Sequence, residues 1–355
     1  MFAPVVNNIL VTISQLYNEN LIEVRSIEDV LTGREVGILK TLNTITTPMK
    51  QLGIAVPDIN VGLYKLSETT FGFIKLRDNQ TFGPTEMYTG RSSIGRFNYI
   101  RSINDKRQLP FFRSYCNQIL GTDGTFFGAH PPMGPNVSIY IHNPHLCRPM
   151  KFDFDKESHV KMINTYRYLM DYRQFSILQD TRNWCYCPKG ETINRCEGVL
   201  FMKQCLDGAP LALSNPHFLQ SHRLLARVQG LHPDAKHHQG FLELERTLGS
   251  SAEVSIRVQL NLDLKPYSAV QRLNSFRPVI MPYLWFDEGA LIEGYLHYLI
   301  MIASWTIELS QELFILLGTI GVFLIIKGIA KIIYKRIIKN KKIIPDHDES
   351  NSNGK

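Results

Sequence analysis

Residues 252–264 read AEVSIRVQLNLDL, and this stretch decides the fold. Ala252, Val254, Ile256, Val258, Leu260, Leu262 and Leu264 alternate without a break with Glu253, Ser255, Arg257, Gln259, Asn261 and Asp263. A helix brings residues three and four apart onto one face, whereas a strand does this for residues two apart. Strict period two therefore predicts one antiparallel strand, ~40 Å long, with its apolar face buried and its polar face wet. Strand-like runs bounded by Gly, Pro and Asn extend the pattern at 61–66, 70–76, 137–141 and 199–202. Before residue 50 the period is helical. Ser26, followed by Glu28 and Asp29, reads as a helix N-cap with acids at the positive end of the dipole. The expected class is α+β, helical over 1–50 and β-rich over 55–290.

Around these elements, few residues suggest chemistry. Glu243 and Glu245, like Asp153 and Asp155, lie two apart in strand-like sequence and read as solvated strand faces. His232, His237 and His238 fall in a Pro- and Lys-containing stretch and read as an exposed turn. Gly90-Arg-Ser92-Ser93-Ile-Gly95 lacks the glycine spacing of a nucleophile elbow and reads as a turn. Nucleophile, base and oxyanion donor do not come together in any recognisable order, so no enzyme, metal site or cofactor is expected.

The C-terminal sixth has a different character. Residues 313–326 read LFILLGTIGVFLII, with Leu313 and Phe314 at one end and Ile326 at the other. Fourteen residues without a formal charge make ~21 Å of helix, short of a ~30 Å hydrocarbon core. Extending to residue 333 makes the segment long enough if Lys327 and Lys331 snorkel toward headgroups. Trp305 and Tyr334 flank it as interfacial aromatics. Seven basic residues and no acid lie between Lys327 and Pro345; removing them from the 39 in the chain leaves 32, equal to the 32 acids. The net charge of +7 is thus a property of this segment, and a nucleic-acid partner is not expected. The positive-inside rule places 334–355 in the cytosol, 306–333 in or beside the membrane, and 1–305 outside. Residues 1–17 contain no Lys or Arg and are interrupted by Asn7, Asn8, Thr12 and Ser14, so they read as an amphipathic helix and not as a leader.

Six cysteines fall within ninety residues: Cys116, Cys147, Cys185, Cys187, Cys196 and Cys205. On the outer side of a membrane an even set reads as three disulfides, with fifteen pairings open. The gaps after Cys185 are one, eight and eight residues, unlike zinc-ligand spacing. Asn79 and Asn136 head glycosylation sequons that suit the same compartment.

These residues together resemble one family. Tyr115-Cys116-Asn117-Gln-Ile-Leu-Gly121-Thr122-Asp123-Gly124 is similar to the Cys-Asn-x-Ile-x-Gly-Thr-Asp-Gly segment of the class B scavenger receptors, which include the fatty-acid translocase, lysosomal integral membrane proteins and insect sensory-neuron membrane proteins. Leu146-Cys147-Arg148, Cys185-Tyr-Cys187, Cys205 with Gly208-Ala209-Pro210, Ser214-Asn-Pro216-His217-Phe218-Leu219, Gly230-Leu231-x-Pro233 and Pro282-Tyr-Leu284-Trp285 follow in the family's order. The resemblance is dense from about 110 to 290. It implies an antiparallel β-barrel ectodomain with apical helices, a lipid-carrying tunnel, two membrane spans and cytosolic tails. It also implies the pairs Cys116–Cys185, Cys147–Cys205 and Cys187–Cys196. Val254, Ile256, Val258, Leu260 and Leu262 would then line the lipid-facing wall.

The chain departs from the family in three ways. The family's first span and much of the ectodomain after it have no counterpart here, so a truncated product, even a non-functional one, is an expectation. Tyr17-Asn-Glu-Asn20 replaces an apical lysine site, and no cysteine remains for cytosolic palmitoylation. The implied function is to bind lipid or lipoprotein, including fatty acids and sterols, and to pass lipid toward the bilayer; the alternative is an adhesion receptor for apoptotic cells or microbes. The plasma membrane is the expected location. A lysosomal membrane is the alternative, although acids follow Ile343-Ile344 where a sorting signal has them precede it.

Overall fold

In the computed structural model the alternating stretch is one strand, Ser251–Leu264, in an eight-stranded antiparallel sheet. The structure describes residues 3–20, 23–55, 60–61, 64–65, 69–72, 83–128, 133–206, 208–266, 274 and 277–341. Chain contacts divide it into two units, Met1–Gly294 and Tyr295–Lys355.

The first unit opens with helices α1 (Ala3–Leu16) and α2 (Ile27–Thr32), strand β1 (Arg34–Glu35) and helix α3 (Gly37–Gln51). Ser26 caps α2, its hydroxyl accepting from the Asp29 amide at 3.0 Å. Short strands follow: β2 (Asn60–Val61), β3 (Tyr64–Lys65), β4 (Thr70–Phe71), β5 (Thr85–Met87) and β6 (Ile100–Ile103), forming two-stranded pairs β2–β3, β1–β4 and β5–β6. The main sheet begins with β7 (Ser138–Asn143), β8 (Arg148–Val160) and β9 (Ile163–Met170). Helix α4 (Ile193–Cys196) precedes β10 (Leu200–Phe201) and β11 (Leu211–Ser214); α5 (His222–Leu225) and α6 (Ala235–His238) precede β12 (Phe241–Glu245). The long strand is β13, and β14 (Val279–Leu291) follows it.

β13 organises the sheet because it serves three neighbours. β14 pairs along one edge from Glu253 to Leu264, while the other edge is divided between β12 at residues 251–255 and β11 at residues 259–262. From β12 the order continues through β9 and β8 to β7, and from β11 to β10. The sheet therefore forks. No closed barrel is found among the described residues, since closure needs a strand that joins the free edges and none does so here.

Both faces of the sheet are covered. On one, Val254, Ile256, Val258 and Leu260 pack with Phe152, Tyr168, Leu242 and Leu244 in the main core. On the other, Phe201, Ala212, Phe218, Leu224 and Ile280 form a second cluster. The expectation of a wet polar face on β13 is corrected here. Ser255, Gln259 and Asn261 are buried: Ser255 donates to Asp287 of β14, Asn261 lies against β11, and Gln259 meets the segment that carries His217. Their polarity serves that irregular segment and its neighbours: Gln259 accepts from the His217 amide at 2.9 Å, and Asn261 donates to the Ala212 carbonyl at 3.1 Å.

Glu243 and Glu245 correct a second expectation, being 1% and 0% exposed. β9 and β13 pair with both edges of β12, and the side chains are enclosed by local partners: Glu243 accepts from Thr165 and Arg167 of β9, and Glu245 from the amides of Thr247 and Leu248. Asp155 remains exposed, while Asp153 is half-buried in ion pairs with Lys151 and Arg173.

The Cys-Asn-to-Gly segment runs beside β7 through a parallel bridge from Thr122 to Ile141. Gly121 makes this approach possible: its φ is +91°, and a Cβ there would lie 2.0 Å from the Tyr140 carbonyl oxygen. Gly121→Ala should cost roughly 2–4 kcal/mol, read as a lower urea midpoint at unchanged m-value. A cost below ~0.5 kcal/mol would show that the segment can move away.

The second unit is carried by helix α7 (Gly294–Lys341), 48 residues long. At ~1.5 Å rise per residue it extends ~72 Å.

Candidate functional site

Three features are the candidates for function: the apolar helix, the disulfide region and the β13 wall. Each follows from local sequence. In α7, Leu313, Phe314, Ile326, Lys327 and Lys331 are all exposed, Phe314 to 74%. Apolar residues occupy every side of the helix between Leu313 and Ile326, and none of them is packed into a core. A helix apolar all round and unburied is a candidate membrane span.

The structure joins Cys116 to Cys185, Cys147 to Cys205 and Cys187 to Cys196, and leaves no cysteine free. The first two bonds lie in the main core and the third in the second cluster, so each stitches loop-rich sequence to one face of the sheet. Asn136 is exposed in the turn before β7, at φ +63°. Asn79 lies outside the described residues.

Along β13 the five wall residues do not share one environment. Val258 is fully buried, Ile256 and Leu260 nearly so, and Val254 and Leu262 are half-buried at the two ends of the row. All but Leu262 pack with the main core.

Sequence reasoning missed a histidine cluster. His238 is buried, which corrects the exposed-turn reading for this residue, while His237 stays exposed and pairs with Asp234. The His217 and His238 rings stack at 4.2 Å, and Trp285 meets both edge-on. Each ring accepts a backbone amide at Nδ1, from His232 at 3.0 Å and from Asp234 at 2.9 Å, which requires Nδ1 to be unprotonated. Burial, and then the neighbouring His217, hold the His238 imidazole below its ordinary value. Its motif-level signal was present in Pro216-His217-Phe218, but the two rings are 21 residues apart in the chain and no local pattern marks their stacking.

His142 on β7 is shifted further. Burial alone pushes its imidazole down to about 4. A folded value below the unfolded one binds fewer protons, so the stabilising contribution is present above pH ~6.5 and is lost as pH falls toward 4. At ~1.36 kcal/mol per unit this is about 3 kcal/mol. His142→Phe should flatten the pH dependence of unfolding free energy between pH 7 and 4. An unchanged slope would mean that His142 titrates normally.

A disulfide-stitched β domain whose chain runs into an unburied apolar helix defines a class of protein: a membrane-anchored receptor-type ectodomain. Residues 2–332 match the CD36 family. Scavenger receptor class B member 1 of Bos taurus is 29% identical over 229 residues, 63% of this chain and 43% of that protein. Lysosome membrane protein 2 of Mus musculus is 24% identical over 279 residues, 78% of this chain and 54% of the other. Sensory neuron membrane protein 1 of Plutella xylostella is 33% identical over 192 residues, 53% of this chain and 35% of the other. The chain belongs to the CD36 family of class B scavenger receptors. It spans about half the length, or less, of these relatives.

Proposed function

We propose that this chain binds lipid or lipoprotein on the outer side of a membrane and passes lipid toward the bilayer that anchors it. The carrying observation is covalent continuity: β14 ends at Leu291 and the helix that carries the apolar run begins at Gly294, so only two residues separate the sheet from that helix. Cargo contact is assigned to the Val254, Ile256, Val258, Leu260 and Leu262 row, beginning at its half-buried ends. The plasma membrane is the proposed location, with residues beyond the span in the cytosol.

Purified full-length protein should carry lipid that solvent extraction and mass spectrometry identify, and cells expressing it should take up fluorescent lipid. Val254→Trp and Leu262→Trp should reduce uptake without lowering the thermal midpoint. Protein that is empty and inactive in uptake would overturn the reading and favour recognition without lipid flux.

A further inference from the structure

A cavity of about 190 Å³ lies beside the end of β7, away from the β13 wall. Its sides are the hairpin turn after β6, residues Leu109 to Phe111, and Pro144. The surfaces of Ile103, Leu109 and Phe111 make it mostly apolar, while Lys106 and Asn104 stand exposed at its rim. For scale, an apolar cavity of about 150 Å³ accepts benzene.

One buried polar side chain lines this space, and it is the least expected one. His142 is 2% exposed, and neither Nδ1 nor Nε2 has a hydrogen-bond partner among the described residues. Its backbone is fixed, with the amide donating to the Thr122 carbonyl at 2.8 Å and the residue paired with Pro149 of β8. Ile139 and Ile141 of the same strand belong to the main core, so alternation turns His142 to the opposite face. The ladder thus holds an imidazole against an apolar cavity with both nitrogens unused. Buried polar atoms are nearly always paired, and an unpaired set calls for a partner.

The chemistry selects the partner's class. A neutral imidazole offers one N–H donor and one lone-pair acceptor. A hydroxyl can use either. A carboxylate can only accept, and would lose its hydration against apolar walls with no buried cation opposite it among the described residues. Lys106 does not supply that cation, because its exposed position leaves its charge screened by water.

We propose that this cavity is a binding site for a small uncharged hydroxylic molecule, about the size of phenol or hexanol, whose hydroxyl bonds to the His142 ring. The site is independent of the lipid-passing reading, and either can fail without the other.

The test uses full-length protein in detergent, labelled with ¹⁵N at the histidine rings, and phenol, benzene and benzoate as probes. His142→Phe assigns the resonance. Phenol should shift the His142 ring nitrogens saturably, with affinity at least tenfold above benzene, and benzoate should have no effect. Leu109→Trp, which fills the cavity, should abolish the phenol shift while leaving the resonance and the thermal midpoint in place. An unmoved His142 resonance overturns the proposal. So does a Leu109→Trp variant that titrates like wild type, or tighter binding of benzoate than of phenol.

Discussion

Replacing Cys147 and Cys205 together by serine should lower the unfolding free energy by about 4 kcal/mol, the loop-entropy value for a closure of this length. The bond joins residues 58 apart, and that of Cys116 with Cys185 joins residues 69 apart, so both should cost about the same. Cys187 and Cys196 are only 9 apart, and their removal should cost about 3 kcal/mol. Burial adds to the cost at all three pairs, since every one of these cysteines is buried and serine would bring hydroxyls into the core. Urea titration of the three double variants, with the remaining disulfides kept from exchanging, measures the order. If the 187–196 pair proves the most costly, chain entropy is not what these bonds control.

Arg167→Ala should cost about 3–5 kcal/mol, although Arg167 is itself partly exposed. The loss falls on its partner. Glu243 accepts from Arg167 at 3.0 Å and from the Thr165 hydroxyl at 2.7 Å, and almost none of its surface reaches water. Without the guanidinium a carboxylate stays buried with one neutral donor. Arg167 also lies 4.1 Å over the Phe241 ring, and alanine removes that cation–π attraction as well. Glu243→Gln should cost less, because the amide keeps its bond to Thr165 and strands no negative charge. Combining the two substitutions should recover more than half of the Arg167→Ala loss. Additive losses in the double variant would show that the pair is not coupled.

The same pair shows where sequence reading stopped. Glu243 and Glu245 alternate with Leu242 and Leu244 like the polar face of a half-buried strand. Such a pattern states which residues share a face, and says nothing of what covers that face. β12 became an interior strand because β9 and β13 flank it, and the acid at Glu243 needs partners that lie 76 and 78 residues away in the chain. Gln259 and Asn261 repeat the lesson on β13, Gln259 meeting the segment that carries His217 and Asn261 bonding to Ala212 of β11.

Local rules succeeded where the chemistry is local. Ser26 caps its helix, the period-two run is a strand starting one residue earlier than expected, and the 313–326 run lies in an exposed helix. Helix propagation, capping and strand alternation involve residues within a few positions of each other, so their signals survive in one dimension. The cysteines are intermediate. Composition and compartment argued for three bonds but left fifteen pairings; the family resemblance implied one set, and the structure carries that set.

By itself, then, the sequence determined the element types, the apolar helix with its basic flank, and membership of a receptor family. Tertiary structure alone decided that the sheet forks at β13 and does not close among the described residues, that Glu243 and Glu245 are interior, and that His142 faces a cavity while His217 stacks on His238. The division has one physical cause. Backbone periodicity is written in neighbouring residues, whereas burial depends on which distant segment comes to rest on each face, and that is settled only when the whole chain packs.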